Sequence, residues 1–320
     1  MTLLEKATIR HSGFGGKTAL LDVNQVPVFV KLVPVSELEL EAGNRLSTAN
    51  LFRLPLYYQY GIGSVGFGVW RELAAHTVAS EWVLSRQHEQ FPLLYHWRII
   101  PRSGDDSDRT EAYDYLEHGA AIAKDDAAIQ QRLDAIRTSR AWVAMFIEYF
   151  PTTLSEWLSE ELGADNARAG DALAFIQRHS NDAFDFMRSQ RFVHFDAHFE
   201  NVLTDGRRLY FGDFGLALHS GFDLAADERP FLADHAEYDR ARFNASLVHT
   251  LGRAIPGSGG WREKLQKLER EPNLLAPAAL AVIRQHTPVA IYMAGLARAL
   301  IETDRNARFS ITDTSANRAA

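Results

Sequence analysis

Four residues in this chain are of types, and at spacings, that suit phosphoryl transfer. Lys31 sits alone in the apolar run VPVFVKLV. The segment 192–218, FVHFDAHFENVLTDGRRLYFGDFGLAL, carries His194-x-Asp196, then Asn201 five residues after Asp196, then Asp213-Phe214-Gly215. Moving a phosphoryl group to a hydroxyl needs a carboxylate beside the acceptor. It also needs oxygen ligands, such as an Asn and a second Asp, converging on Mg²⁺ ions that hold the phosphates of ATP. A tight loop supplies the first two groups, and a hairpin returns the chain to supply the third. Asp196 is the candidate catalytic carboxylate, Asn201 and Asp213 are candidate metal ligands, and Lys31 is a candidate anion contact. A lysine in an apolar strand is costly to bury unless it is paired, so it either reaches the sheet edge or faces an anion.

The elements around these residues follow from the pattern. The first 35 residues read as strands, with Asn24-Gln25 as a turn. Residues 69–90 turn helical, with Leu73, His76 and Val83 at three- and four-residue steps. FPLLYHWRII reads as a strand, 102–118 as a polar loop, and 121–139 as an exposed helix. AWVAMFIEYF reads as a buried strand that ends at Pro151. Beyond it the pattern is mostly helical, except for two short strands flanking the Thr204-Asp205-Gly206-Arg207 turn. The fold class expected is α+β, with strands first and helices after, and a boundary near Phe150–Thr153.

Two glycine loops compete for a phosphate. Gly61-x-Gly63-x-x-Gly66 spells a dinucleotide-binding fingerprint, but no alternating strand–helix pattern surrounds it, so a structural or lid-like loop is the better reading. The other loop is Ser12-Gly13-Phe14-Gly15-Gly16, which precedes the lysine strand.

The order H-x-D-x-x-x-x-N and then D-F-G resembles the protein-kinase-like superfamily, which includes aminoglycoside phosphotransferases. The resemblance covers about residues 8–220. It implies a bilobal fold with a small antiparallel β-sheet N-lobe at 1–150 and a mainly helical C-lobe at 151–320, with insertions at about 33–68 and 102–140. Gly13, Phe14 and Gly15 then resemble the tip of the nucleotide-covering loop, although Arg10 and Ser12 stand where two glycines are expected. Glu148-Tyr149-Phe150 resembles the hinge whose backbone binds adenine, and Lys31 the lysine that contacts the α- and β-phosphates. Its helix partner is Glu72 or Glu81, and Glu72 is favoured because it shares a stripe with Leu73, His76 and Ala79.

Other residues depart from the protein-kinase pattern. Phe195 replaces the arginine that pairs with a phosphorylated activation segment, and His198 replaces a lysine, as it often does in aminoglycoside and choline kinase-like enzymes. His194 is read as structural, Phe214 as packing between the lobes, and Asp239 as an anchor beneath the catalytic loop. The resemblance implies an ATP- and Mg²⁺-dependent kinase acting on a hydroxyl. Protein Ser/Thr is the first acceptor expected, a small molecule the second, and a nucleotide-binding pseudokinase the third reading.

Composition limits the partners. The chain of 320 residues has 34 basic and 41 acidic residues, a net charge of −7, and no cysteine. Thiolate chemistry and disulfides are excluded, and nucleic acid and anionic membranes are disfavoured. Glu5 and Lys6 interrupt any signal core, and Arg284, His286 and Pro288 break the most apolar stretch, 274–300. A cytoplasmic protein with no membrane partner is therefore expected. Acidic residues near 105–117 and 223–234 suggest a cationic acceptor if they line the cleft, and Leu54–Gly68 is expected to form a lid or docking surface.

Overall fold

The computed structural model describes residues 8–13, 16–102 and 126–310. Strands β1 (Thr8–Gly13), β2 (Gly16–Val23) and β3 (Val26–Val35) run antiparallel. Asn24 and Gln25, both at positive φ, make the two-residue turn between β2 and β3. That is the backbone a right-twisted hairpin requires. At Gly16, φ is +125° and an added Cβ would lie 1.9 Å from the Leu32 carbonyl oxygen, so only glycine fits.

A short helix α1 (Glu37–Leu40) follows β3, and helix α2 (Val69–Leu84) comes next, ahead of strand β4 (Leu94–Pro101). Helix α3 (Ala127–Thr138) leads into strand β5 (Ala141–Glu148). The five strands form one antiparallel sheet in the order β1-β2-β3-β5-β4. Because side chains alternate across a strand, β3 has two apolar faces. Val28 and Val30 pack with Ala19 and Leu21. Val33 and Val35 pack with Met145 and Ile147 against Val69, Trp70 and Leu73 of α2. Lys31 belongs to this second face, which is why it meets α2 rather than solvent.

The remaining chain is mostly helical. It runs through β6 (Thr152–Thr153), α4 (Leu154–Ala164), α5 (Asn166–Ser189), β7 (Phe192–Val193), β8 (Val202–Thr204), β9 (Leu209–Phe211) and β10 (Leu218–His219). Helices α6 (Glu228–Asp234), α7 (Tyr238–Ala254), α8 (Trp261–Arg270) and α9 (Pro277–Glu302) complete it. The fold is α+β, with a small antiparallel sheet followed by a helical part. The short strands pair as β7 with β10, and as β6-β8-β9. Thr153 and Glu156 form a capping box that starts α4 directly after the sheet ends. Pro288 stands within α9, and no helix among the described residues is long and apolar enough to cross a membrane.

Two expectations need correction. The helix near 121–139 is not simply exposed. Ile129 and Leu133 of α3 are buried against Phe52, Leu54, Tyr58 and Phe67, and Arg132 pairs with Glu39 at 2.8 Å. The residues ahead of it, 103–125, lie outside the described residues. The segment Leu54–Gly68 is not a free lid either. Tyr58, Gln59 and Tyr60 are buried, Gln59 donates to the Leu216 carbonyl, and Tyr60 reaches His235 at 2.6 Å and the Phe309 N–H at 2.9 Å. Gly66, at φ +78°, lies against the Gly215 carbonyl, where a Cβ would come within 2.6 Å. Burial of its aromatics makes this segment a strap between the sheet and the helical part.

Helix α2 is held to the helical part by a buried ion pair. Arg71 grips Glu228 with two hydrogen bonds of 2.7 and 3.0 Å, and its Nε donates to the Thr48 carbonyl at 2.6 Å. Both side chains are fully enclosed, so removing one strands the other's charge. Glu228→Ala is expected to lower unfolding stability by about 3–5 kcal/mol, while Arg71→Met with Glu228→Leu should lose less. Urea unfolding of the three proteins measures this.

Candidate functional site

The lysine strand and the loops after β7 and β9 converge on one cleft. The Lys31 ammonium lies 2.7 Å from Glu72 Oε1 and 2.7 Å from Asp213 Oδ1. Glu72 is therefore its helix partner, whereas Glu81 is exposed on the outer side of α2. Burial disfavours the ammonium, but Asp213 and Glu72 outweigh it and hold Lys31 protonated, well above the ordinary lysine range. Burial likewise opposes the Asp213 charge, and Lys31 overcomes it, leaving a pKa of about 2. Lys31 and Glu72 are buried, but the Asp213 side chain is 47% exposed, so part of this carboxylate faces the cleft.

Asp196 is positioned by the backbone beneath it. Asp239, buried at the start of α7, accepts the N–H groups of His194 at 2.7 Å and Phe195 at 2.8 Å. Phe195 takes a left-handed backbone (φ 63°), a conformation costly for a bulky residue, and the Asp239 contacts hold it there. Its ring is sealed among Tyr60, Phe231 and Tyr238. His194 donates from Nε2 to the Gly212 carbonyl at 2.8 Å and accepts the Asp196 N–H at Nδ1. Asp239 and His194 thus have the structural places expected of them. Phe214 is buried against His76 of α2, Phe91 and Phe192, between the sheet part and the helical part.

Asn201 turns its amide nitrogen to Asp196, donating to its carbonyl at 3.1 Å and to Oδ2 at 2.9 Å. Its backbone carbonyl accepts the Gly212 N–H at 3.1 Å, which places it beside Asp213. With its NH₂ used, Asn201 offers Oδ1, and Asp213 offers its outward carboxylate. This pair of hard oxygen donors fits Mg²⁺, which keeps waters and phosphates in its shell rather than a full protein cage. No cluster of three His, Cys, Asp or Glu side chains that could hold a metal occurs among the described residues.

His198 lies 3.5 Å from Asp196 Oδ1 through Nε2 and 2.9 Å from Glu200 through Nδ1. Burial works against its charge, but the two carboxylates prevail and push its pKa up to about 9. Burial would raise the Asp196 pKa, yet His198 and Arg242 bring it below the ordinary aspartate value. Asp196 is therefore ionised at neutral pH and can accept a proton.

The other predicted site residues are placed less directly. Gly13 ends β1 opposite Gly16, whereas Phe14 and Gly15 lie outside the described residues. The Glu148 carboxylate accepts the Leu93 N–H at 3.1 Å, and Phe150 stacks on Tyr210 at 3.7 Å. Both side chains brace the strand-to-helix crossing, and the Glu148 N–H itself donates to the Leu93 carbonyl at 2.8 Å. Of the two acidic stretches, 105–117 lies outside the described residues, and Glu228 in the other is consumed by Arg71. Three residues near Asp196 escaped the sequence reading: Tyr238, Arg242 and His249. They share one stripe of α7, a helical spacing visible in the sequence, but only the Asp239 anchor turns that stripe toward Asp196.

Compared with family models and with curated proteins, the chain matches none.

The cleft also has an acid sensitivity. Burial, helped by nearby Lys31, holds His76 down to a pKa of about 3, and burial holds His235 down to about 4. Both ring nitrogens of His76 lack a hydrogen-bond partner. The unfolded chain protonates its histidines near the ordinary value of 6.5, before the folded one does. Their contribution is thus present above pH 6.5 and is lost as pH falls toward 4 and 3, by ~1.4 kcal/mol per proton per pH unit. Asp239, raised by burial to about 6, opposes part of this loss below pH 6. Thermal melts from pH 6.5 to 4.5 should show a falling midpoint, and His76→Leu should flatten the fall.

Proposed function

We propose that the protein is a protein-kinase-like phosphotransferase, with a sheet N-lobe and a helical C-lobe, that moves the γ-phosphate of ATP to a hydroxyl. The observation that carries this reading is the Lys31 ammonium bridging Glu72 and Asp213 at 2.7 Å each, in the same cleft as Asp196 and Asn201. Such a reaction needs positioning and charge stabilisation more than covalent help from the protein.

Each residue has a place in that task. Lys31 supplies a permanent positive charge for phosphate oxygens, held in direction by Glu72. Asn201 Oδ1 and the exposed side of Asp213 would hold Mg²⁺, which when bound neutralises the phosphate charge. Asp196 receives the proton of the acceptor hydroxyl. Its ionised form is secured by His198, and its orientation by the Asn201 amide. Burial of Phe195 leaves no arginine at that position to answer a phosphorylated loop, so switching by that route is not part of the proposal. Acceptors of both classes, protein Ser/Thr and small molecules, are compatible with this chemistry. Nucleotide binding without transfer remains the pseudokinase alternative.

Labelled ATP and Mg²⁺ test the reading. Transfer to an acceptor or to water is expected, and Asp196→Asn should reduce it by roughly 10²–10⁴-fold. Asp213→Asn should abolish the Mg²⁺-dependent part of ATP binding measured by calorimetry. Binding that needs Mg²⁺ but never leads to ADP would support the pseudokinase, and a chain that binds no nucleotide would refute the proposal.

A further inference from the structure

A cavity of about 200 Å³ opens directly beside Asp196. The strap at Gly61-Ile62 borders it on one side, the α7 stripe of Tyr238, Arg242 and His249 on another, and Leu296 and Leu300 of α9 on a third. It is smaller than the ~300–1,000 Å³ usual for drug-sized ligands.

Its polar groups have an unusual balance for a chain of charge −7. Asp196 is the only carboxylate among the described lining residues, beside a guanidinium and an imidazole. Arg242 touches Asp196 Oδ1 only at 3.8 Å and donates no hydrogen bond to any described residue. The His249 Nε2 is buried without a partner. Burial, with Arg242 next, keeps that imidazole below its ordinary pKa and so neutral at pH 7. A guanidinium that lines a cavity beside Asp196, with only one loose ion-pair contact among the described residues, can take a complementary anion.

We infer that this cavity is the acceptor pocket and takes a small hydroxy acid, its carboxylate on Arg242 and its hydroxyl toward Asp196. The inference rests on the phosphotransfer reading above and names its substrate class. Arg242 lies within ion-pair reach of Asp196, so the carboxylate and the hydroxyl sit only a few bonds apart in the acceptor. In the transfer, the acceptor oxygen bonds to the γ-phosphorus as that phosphorus parts from the β–γ bridging oxygen. ADP leaves, and the hydroxyl proton passes to Asp196. A cationic amino sugar would set its ammonium against Arg242. An extended polypeptide would have to displace the apolar wall of Met293, Leu296 and Leu300. The cationic acceptor suggested by the acidic composition is therefore not the one this pocket favours.

The test uses the full chain with Mg-ATP and follows ADP release. Glycolate, glycerate and 3-hydroxybutyrate are each compared with their amides, with glucosamine and a serine peptide alongside. At least one acid is expected to exceed its amide in kcat/KM by roughly ten- to hundredfold, the range of a charged hydrogen bond. Arg242→Gln should bring that ratio close to one, and Arg242→Lys should keep part of it. The ratio within one variant cancels any effect on folding or on Asp196, so a merely structural arginine would leave it unchanged, and that result overturns the inference. Preference for glucosamine or the peptide also overturns it, as does ADP release that no acid raises. If the chain binds no Mg-ATP, the phosphotransfer reading fails first and this inference fails with it.

Discussion

A lysine charge in the middle of an apolar strand must be neutralised, and the architecture around Lys31 is built to that requirement. Its alternation on β3 points it at α2, where Glu72 meets it, and the chain returning from β9 brings Asp213 to its other side. An ammonium taken out of water with no partner would cost several kcal/mol. The sheet, the helix and the helical part are thus obliged to meet at this point. The same contact leaves Asp213 half-exposed, which makes a structural ion pair also a chemical one.

That meeting point works only if α2 stays put. The two chain segments inserted around it do the holding. Glu39 accepts the Val69 N–H at 2.9 Å, capping α2 at a terminus that begins with glycine, while Arg132 of α3 neutralises Glu39 from the other side. Arg71 then ties the first turn of α2 to Glu228 of α6. Three elements distant in sequence therefore fix one helix turn, the turn that carries Glu72. An outward swing of α2 would break the buried Arg71 pair as well as the Lys31 pair.

Beneath the cleft, Asp239 plays the corresponding role for the loop. By accepting two successive N–H groups it forces Phe195 into a left-handed turn and drives its ring into the aromatic cluster with Tyr60 and Phe231. The turn presents Asp196 upward, and α7, which supplies Asp239, presents Tyr238, Arg242 and His249 on its neighbouring face. One buried carboxylate thereby sets both the proposed base and the wall of the pocket it faces.

Much of this was legible from residue types alone. The β2–β3 turn, the strands β4 and β5 and the β8–β9 hairpin follow from periodicity and turn residues, and the set Asp196, Asn201 and Asp213 from spacing, whereas the resemblance to the protein-kinase-like superfamily is what joined Lys31 to that set. Glu72 over Glu81 was decided by helical stripe, and the 2.7 Å contact agrees with it. What the sequence could not show was long-range pairing. The strap at Leu54–Gly68 reads as a loop until Tyr60 finds His235 and Phe309, and α3 reads as exposed until Arg132 finds Glu39. The acidic composition was compatible with a cationic partner as well as with a solvated surface, yet the groups around Asp196 are Arg242 and His249. Net charge sums over a surface, whereas a pocket samples the few side chains that one helix rotation turns inward, and only the anchoring of α7 through Asp239 to the His194 and Phe195 N–H groups determines which these are.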